Sequence, residues 1–135
     1  METRDTTLLL IRPEIPSTLG YSSMSADESF QNKTLRPVIK LQNDLLVAVF
    51  KNYARKHKNV FYELPIDKRL DYIENAIHKD MKFRNSLKGI VIGQFTMAEY
   101  GLYIQNSSSL NKRMMQIVKE RIKSNIQLLE YECTH

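Results

Sequence analysis

From Ser25 to Leu129 apolar residues return every three or four positions, and no alternating run persists long enough to build a sheet. The spacing predicts an all-α bundle of about five helices with an extended N-terminal arm. Ser25-Ala26-Asp27-Glu28 has the form of a capping box, with Ser25 as N-cap and Glu28 reaching back. Behind it Phe30, Leu35, Val38, Leu45, Val49 and Tyr53 share one face of a long first helix, and Leu41, Leu46 and Phe50 broaden that stripe. Pro37 falls inside this run, so the helix either kinks there or a short first helix ends near Leu35. Arg55-Lys56-His57-Lys58-Asn59 closes it with positive charge, as a helix C-terminus favours.

A loop holding Val60, Phe61, Tyr62 and Leu64 follows, its aromatics tucked under the bundle. The second helix starts at Pro65 to Asp67 and runs to about Lys79, with Ile66, Leu70, Ile73 and Ile77 on one face. Asp80 caps a third helix carrying Phe83, Leu87, Ile90 and Val91. Thr96-Met97-Ala98-Glu99 is a second capping box and opens a short fourth helix with Tyr100 and Tyr103. Asn106-Ser107-Ser108-Ser109 breaks it and caps the last helix, whose stripe is Leu110, Met114, Ile117, Val118, Ile122, Ile126 and Leu129. The first and last long helices are expected to pack together.

Residues 1–24 read differently. Pro13, Pro16 and Gly20 predict an extended, irregular arm, and Leu8, Leu9, Leu10 and Ile11 give it a short apolar segment that needs a surface to cover it. That surface is either the chain's own bundle or a second subunit, and exposed apolar arms mark interfaces. The organisation is therefore an arm over 1–24, a bundle over 25–131 and a frayed tail over 132–135.

Composition agrees. Only four glycines and four prolines occur among 135 residues, against an average near 12% for the two together, which disfavours a turn-rich β fold. The lone Cys133 leaves no intramolecular disulfide and fits a reducing cytoplasm. No apolar run approaches the roughly 18 residues of a membrane span. Leu8 to Ile11 is not a signal-peptide core, because Glu2 and Asp5 precede it and Arg12-Pro13 cut it short.

Net charge is +5, which permits contact with nucleic acid. Residues 1–26 are net negative and each later segment is modestly positive, so the excess is spread along the chain. The densest basic cluster is Lys51, Arg55, Lys56 and Lys58, joined by Lys79, Lys82, Arg84 and Lys88 if the helices fold back. A solvated basic face is the commoner meaning of such a pattern.

The residues supply no catalytic set, no cofactor-binding motif and no metal site. Asp71, Glu74 and His78 share a helical face without the second ligand-bearing helix that a metal requires, and a Glu74–His78 pair explains them. Cys133 and His135 lie in the tail, without the preorganised pocket a reactive thiol needs. Gly89 and Gly93 form a small-xxx-small pair suited to close helix packing. Asn85 to Ile104 can be laid on a helix-turn-helix, but its second helix has no Lys or Arg and places Glu99 at an apolar position. Arg84-Asn85 and Asn111-Lys112-Arg113 sit where polar groups can fix helix register.

Lys79 to Gly89, Ile92-Gly93-Gln94-Phe95-Thr96 and Glu99-Tyr100 resemble a small family of uncharacterised helical bacterial proteins. So do Gln105 to Ser108, Leu110 to Arg113, and Phe30-Gln31-Asn32 with Leu35-Arg36-Pro37. The resemblance spans most of residues 24–130. Some members carry a glyoxalase label, but glyoxalases of the vicinal-oxygen-chelate type need βαβββ modules and a His/Glu metal site, and neither is present here. The resemblance implies a short cytoplasmic protein and imports no activity.

The resulting expectation is a non-enzymatic helical interaction module that self-associates, using Leu8 to Ile11 as an interface arm, with a homodimer or another protein as partner and no membrane. The alternative is a nucleic-acid-binding protein using Lys51, Arg55, Lys56, Lys58, Lys82, Arg84 and Lys88. An enzyme or metalloprotein with an unrecognised site comes third.

Overall fold

The computed structural model describes residues 2–15 and 24–129, and among them every regular element is a helix. In chain order these are α1 (Glu2–Ile11), α2 (Ala26–Phe30), a π-helical turn (Gln31–Leu35), α3 (Arg36–Leu41), α4 (Asn43–Lys56), α5 (Ile66–Lys79), α6 (Met81–Ile92), α7 (Met97–Gln105) and α8 (Ser107–Ser124), with 3₁₀ turns at Val60–Glu63 and Ile126–Leu129. The all-α expectation holds. Pro16, Gly20 and the tail with Cys133 and His135 lie outside the described residues.

Pro37 neither splits the first helix nor ends it. It lacks an N–H, and its ring crowds the carbonyl four residues back. The preceding turn is widened, with the Arg36 N–H donating to the Gln31 carbonyl, and Pro37 falls in the first turn of α3. A bend follows at Gln42, where φ and ψ are −89° and 6°. Phe30, Thr34, Val38, Leu46, Phe50 and Ala54 are buried at multiples of four residues. Four-residue spacing advances about 40° per step on a regular helix, and the widened turn and the bend absorb part of that drift. Leu45 is therefore not the core residue that the periodicity predicts. It is 48% exposed, and Leu46 and Val47 are buried instead.

α8 is the spine and packs against α3, α4, α5, α6 and α7, including the expected pairing with α4. It buries Leu110, Met114, Met115, Val118 and Ile122. Phe50 of α4 centres an aromatic cluster, with the rings of Phe61, Tyr72 and Phe83 at 5.2, 6.2 and 6.2 Å. Phe61 is buried beneath the bundle, and Arg69 holds its loop by donating to the carbonyls of Leu64 and Tyr62. α4 stops without glycine: Lys58 and Asn59 are both left-handed, and the Asn59 N–H closes on the Ala54 carbonyl.

The caps divide. Asp80 Oδ1 accepts the Phe83 N–H at 3.2 Å, and Thr96 with Glu99 forms a complete capping box. Ser25 accepts the Glu28 N–H. Asn106, expected to cap α8, makes no side-chain cap bond; its amide and the Ser109 hydroxyl donate to Asp27 across the bundle. Asn111 and Arg113 do tie helices together, accepting from the Tyr103 hydroxyl and donating to Gln31.

Leu8 to Ile11 is not extended: it forms the last turn of α1. Pro13 restricts only the residue before it, so the helix ends at Ile11 and the stretch upstream stays free to coil.

Candidate functional site

Two regions concentrate chemistry. The first is built where α1 meets the α6–α7 turn. Helix ends leave carbonyls and N–H groups without intrahelical partners. Arg4 donates to the carbonyls of Phe95 and Gly93 at 2.9 and 3.0 Å, just past the C-terminus of α6. The Asp5 carboxylate accepts the Met97 N–H at the N-terminus of α7. Cation at the carbonyl end and anion at the N–H end match the helix dipoles.

Arg12 completes the clamp. Its two terminal nitrogens each donate to one Glu99 oxygen at 2.6 Å, and Nη2 also reaches the Gln94 carbonyl at 2.7 Å. The side chains are 7% and 14% exposed. Glu99 further accepts the Thr96 N–H at 2.8 Å and the Thr34 hydroxyl at 2.9 Å. Burial pushes the Glu99 carboxyl up. The Arg12 guanidinium, with Thr96 and Thr34, outweighs that and holds it below the usual carboxylate range. Arg12 Nε and Gln94 Oε1 stay buried without a hydrogen-bond partner among the described residues.

With this polar set inside, the apolar side chains of the same region face outward. Leu9, Leu10 and Ile11 of α1 are exposed, as are Met97, Tyr100, Leu102 and Ile104 of α7. On α7 the residues Met97, Tyr100, Gly101 and Ile104 are spaced i, i+3, i+4, i+7, which puts them on one stripe. Half-buried Glu99 lies on the far side of the helix from this stripe, and buried Tyr103 flanks it, its ring 6.1 Å from that of Tyr100. Gly101 sits mid-helix with no positive φ, and a Cβ added there would meet nothing within 4 Å. Gly89 likewise has open space around it, so it does not serve packing between helices among the described residues. The sequence overlay on a helix-turn-helix fails on the same stripe, which offers no cation to a phosphate.

The second region is a cleft of about 610 Å³ where the C-terminal end of α4 meets the α5–α6 junction, lined by Tyr53, His57, Tyr72, Asn75, Lys79 and Lys82 among others. Three rings stack through it. Buried Phe83 lies 4.1 Å from Tyr53, and Tyr53 lies 4.1 Å from exposed His57. The Tyr53 hydroxyl donates to Asp80 Oδ2 at 3.0 Å. Burial, reinforced by Asp80, pushes that phenol up to about 12. The Asp80 carboxyl is held low by the Phe83 N–H and then by Tyr53. His57 Nδ1 is 2.9 Å from the Tyr53 carbonyl. A carbonyl only accepts, so Nδ1 carries the proton and Nε2 is left to the solvent side.

The predicted basic patch is divided among faces. Lys82 lines the cleft, together with Lys79. Lys56 and Lys58 are exposed on either side of His57 in the chain. Lys51 and Arg55 stand roughly 160–200° around α4 from Tyr53, on another face. Arg84 lies 3.4 Å from His78 Nδ1, and Lys88 is six residues along α6 from Lys82, about 120° around the helix. A different cleft with a cationic excess brings Arg36, Lys40 and Arg121 together with Glu120 beside Ile15 and Ile117. The i, i+4 spacing of Arg36 and Lys40 was its signal. Glu74 is held by Lys119 and Lys123 of α8, each at 3.2 Å, and acts on His78 through its charge, which opposes the lowering of the imidazole by burial and by Lys119. No group of three or more metal-ligating side chains occurs among the described residues.

No family model, no curated protein and no solved structure matches this chain.

Proposed function

We propose that this protein is a self-associating interaction module whose docking face is the outer stripe of α7. The observation that carries the reading is Gly101. A helix-interior glycine costs roughly 1 kcal/mol relative to alanine. Nothing among the described residues approaches Gly101 or demands its backbone freedom. A glycine in the middle of an exposed apolar stripe is instead what close approach by another helix requires. The stripe has no charged residue, so a second copy meets it without like-charge repulsion, as a two-fold contact demands. A nine-residue helix alone falls short of the roughly 800 Å² per partner of a stable interface, so the contact extends beyond α7.

Sedimentation equilibrium across the micromolar range tests this. A dimer is expected for the unaltered chain, and a monomer of unchanged helicity for Met97→Asp combined with Ile104→Asp. An unaltered chain that sediments as a monomer, or a double variant that remains dimeric, removes the proposal.

A further inference from the structure

The Phe83–Tyr53–His57 stack runs from the core to the surface and ends on an exposed ring. Its inner members are fixed, Phe83 by burial and Tyr53 by its hydroxyl bond to Asp80. The outermost ring is fixed by its Nδ1 contact with the Tyr53 carbonyl. Such a platform loses little freedom when a further flat ring is added, which is the condition for strong stacking. The depression beside it, about 610 Å³, is open to solvent, so a ligand there would be held by the platform and the polar groups around it. Lys79 and Lys82 stand on its walls, and Asn75 offers both a donor and an acceptor. Asp80 is the one carboxylate among the described lining residues. Both its oxygens are occupied, by the Tyr53 hydroxyl and the Phe83 N–H. A planar group on His57 and an anion on the lysines is the chemistry of a nucleotide.

We propose that this cleft is a nucleotide-binding site, with the base stacked on the outer face of His57 and the phosphate held by Lys79 and Lys82. The inference is independent of self-association through α7. The nucleotide is either free or part of a single strand, since stacking and phosphate contacts are common to both.

The test uses the full chain at low salt, titrated with adenosine monophosphate, a ten-residue oligoadenylate and inorganic phosphate. Adenosine monophosphate should bind more tightly than inorganic phosphate, because the base contributes. His57→Ala should weaken nucleotide binding by roughly tenfold or more, and His57→Tyr should restore it. Lys79→Gln with Lys82→Gln should weaken binding and flatten its salt dependence by about two in logarithmic slope. Lys51→Gln with Arg55→Gln, on the other face of α4, should leave binding unchanged. All these positions except Lys51 are exposed, and circular dichroism establishes that each variant folds. Oligoadenylate binding far more tightly than the monomer identifies a single strand as ligand; equal binding identifies the free nucleotide. The proposal falls if neither nucleotide binds, if His57→Ala changes nothing, if inorganic phosphate binds as tightly as the nucleotide, or if the Lys51/Arg55 variant loses as much.

Discussion

The two ends of the molecule partition their side chains in opposite ways. Around the α4–α5–α6 cleft the arrangement is ordinary: Phe50, Phe61 and Phe83 are buried and Lys56, Lys58, Lys79 and Lys82 are in water. Around the α1–α7 seam it is inverted. An arginine, a glutamate and two threonines are turned inward, and leucines, isoleucines, a methionine and a tyrosine are turned outward. Inversion of this kind costs stability twice, once in desolvating the ion pair and once in leaving apolar surface wet. On the proposed reading, a partner that covers the apolar side chains offsets the second cost. The same helical periodicity serves both ends, and the side chains left exposed are what set them apart.

The largest expected effect comes from breaking the clamp. Arg12→Ala leaves Glu99 buried without its counter-charge, and removing one partner of a buried pair costs about 3–5 kcal/mol. Urea denaturation should show that loss, and Glu99→Ala should show much of it again, with the double variant well short of the sum. A loss below about 1 kcal/mol for Arg12→Ala would place the pair with solvated surface bridges.

Next in size is a pair of neighbouring leucines. Leu46→Ala should cost about 2–5 kcal/mol, and Leu45→Ala no more than about 0.5 kcal/mol. Equal losses would mean that α4 is rotated as a plain stripe through Leu45 predicts. This pair also marks how far the sequence can be read. The helices, the Asp80 and Thr96 caps and the core of α8 follow from local rules, because caps and stripes are set within one or two turns. The phase of α4 does not, because a π turn forced by Pro37 and a bend at Gln42 shift it, and Gln42 is held by a bond to the Ile90 carbonyl 48 residues away. The same limit hid the clamp. Arg4, Asp5, Arg12 and Glu99 look like surface charges until a contact spanning 87 to 92 residues brings them together. The cleft was half legible: its lysines stood out, but the stack that gives them a use joins α4 to α6.

A smaller effect should follow acidification. The Glu99 carboxyl is held below its ordinary value in the folded chain, so its stabilisation is complete above the unfolded carboxylate range and is lost as pH falls through the folded value. Comparing the unaltered chain with Glu99→Gln isolates this group from Asp27, Glu74 and Asp80, whose carboxyls are also held low. The stability gap between the two proteins should narrow from pH 7 toward pH 3. A gap that stays constant would separate Glu99's role from its charge.

The smallest change makes the sharpest cut between fold and docking. Gly101→Ala adds one methyl group into open space on a helix whose backbone does not need glycine. For an isolated chain the result is a gain of up to about 1 kcal/mol, because alanine is the better helix former. For a helix that packs across Gly101 the same methyl separates the two backbones and weakens the dimer. The substitution should therefore raise the stability of the monomer, measured by urea denaturation in the Met97→Asp/Ile104→Asp background, and lower the association constant, measured by sedimentation. A gain in stability with unaltered association would leave Gly101 without a role at the interface. The exposed stripe would then pack, if at all, through its large side chains alone.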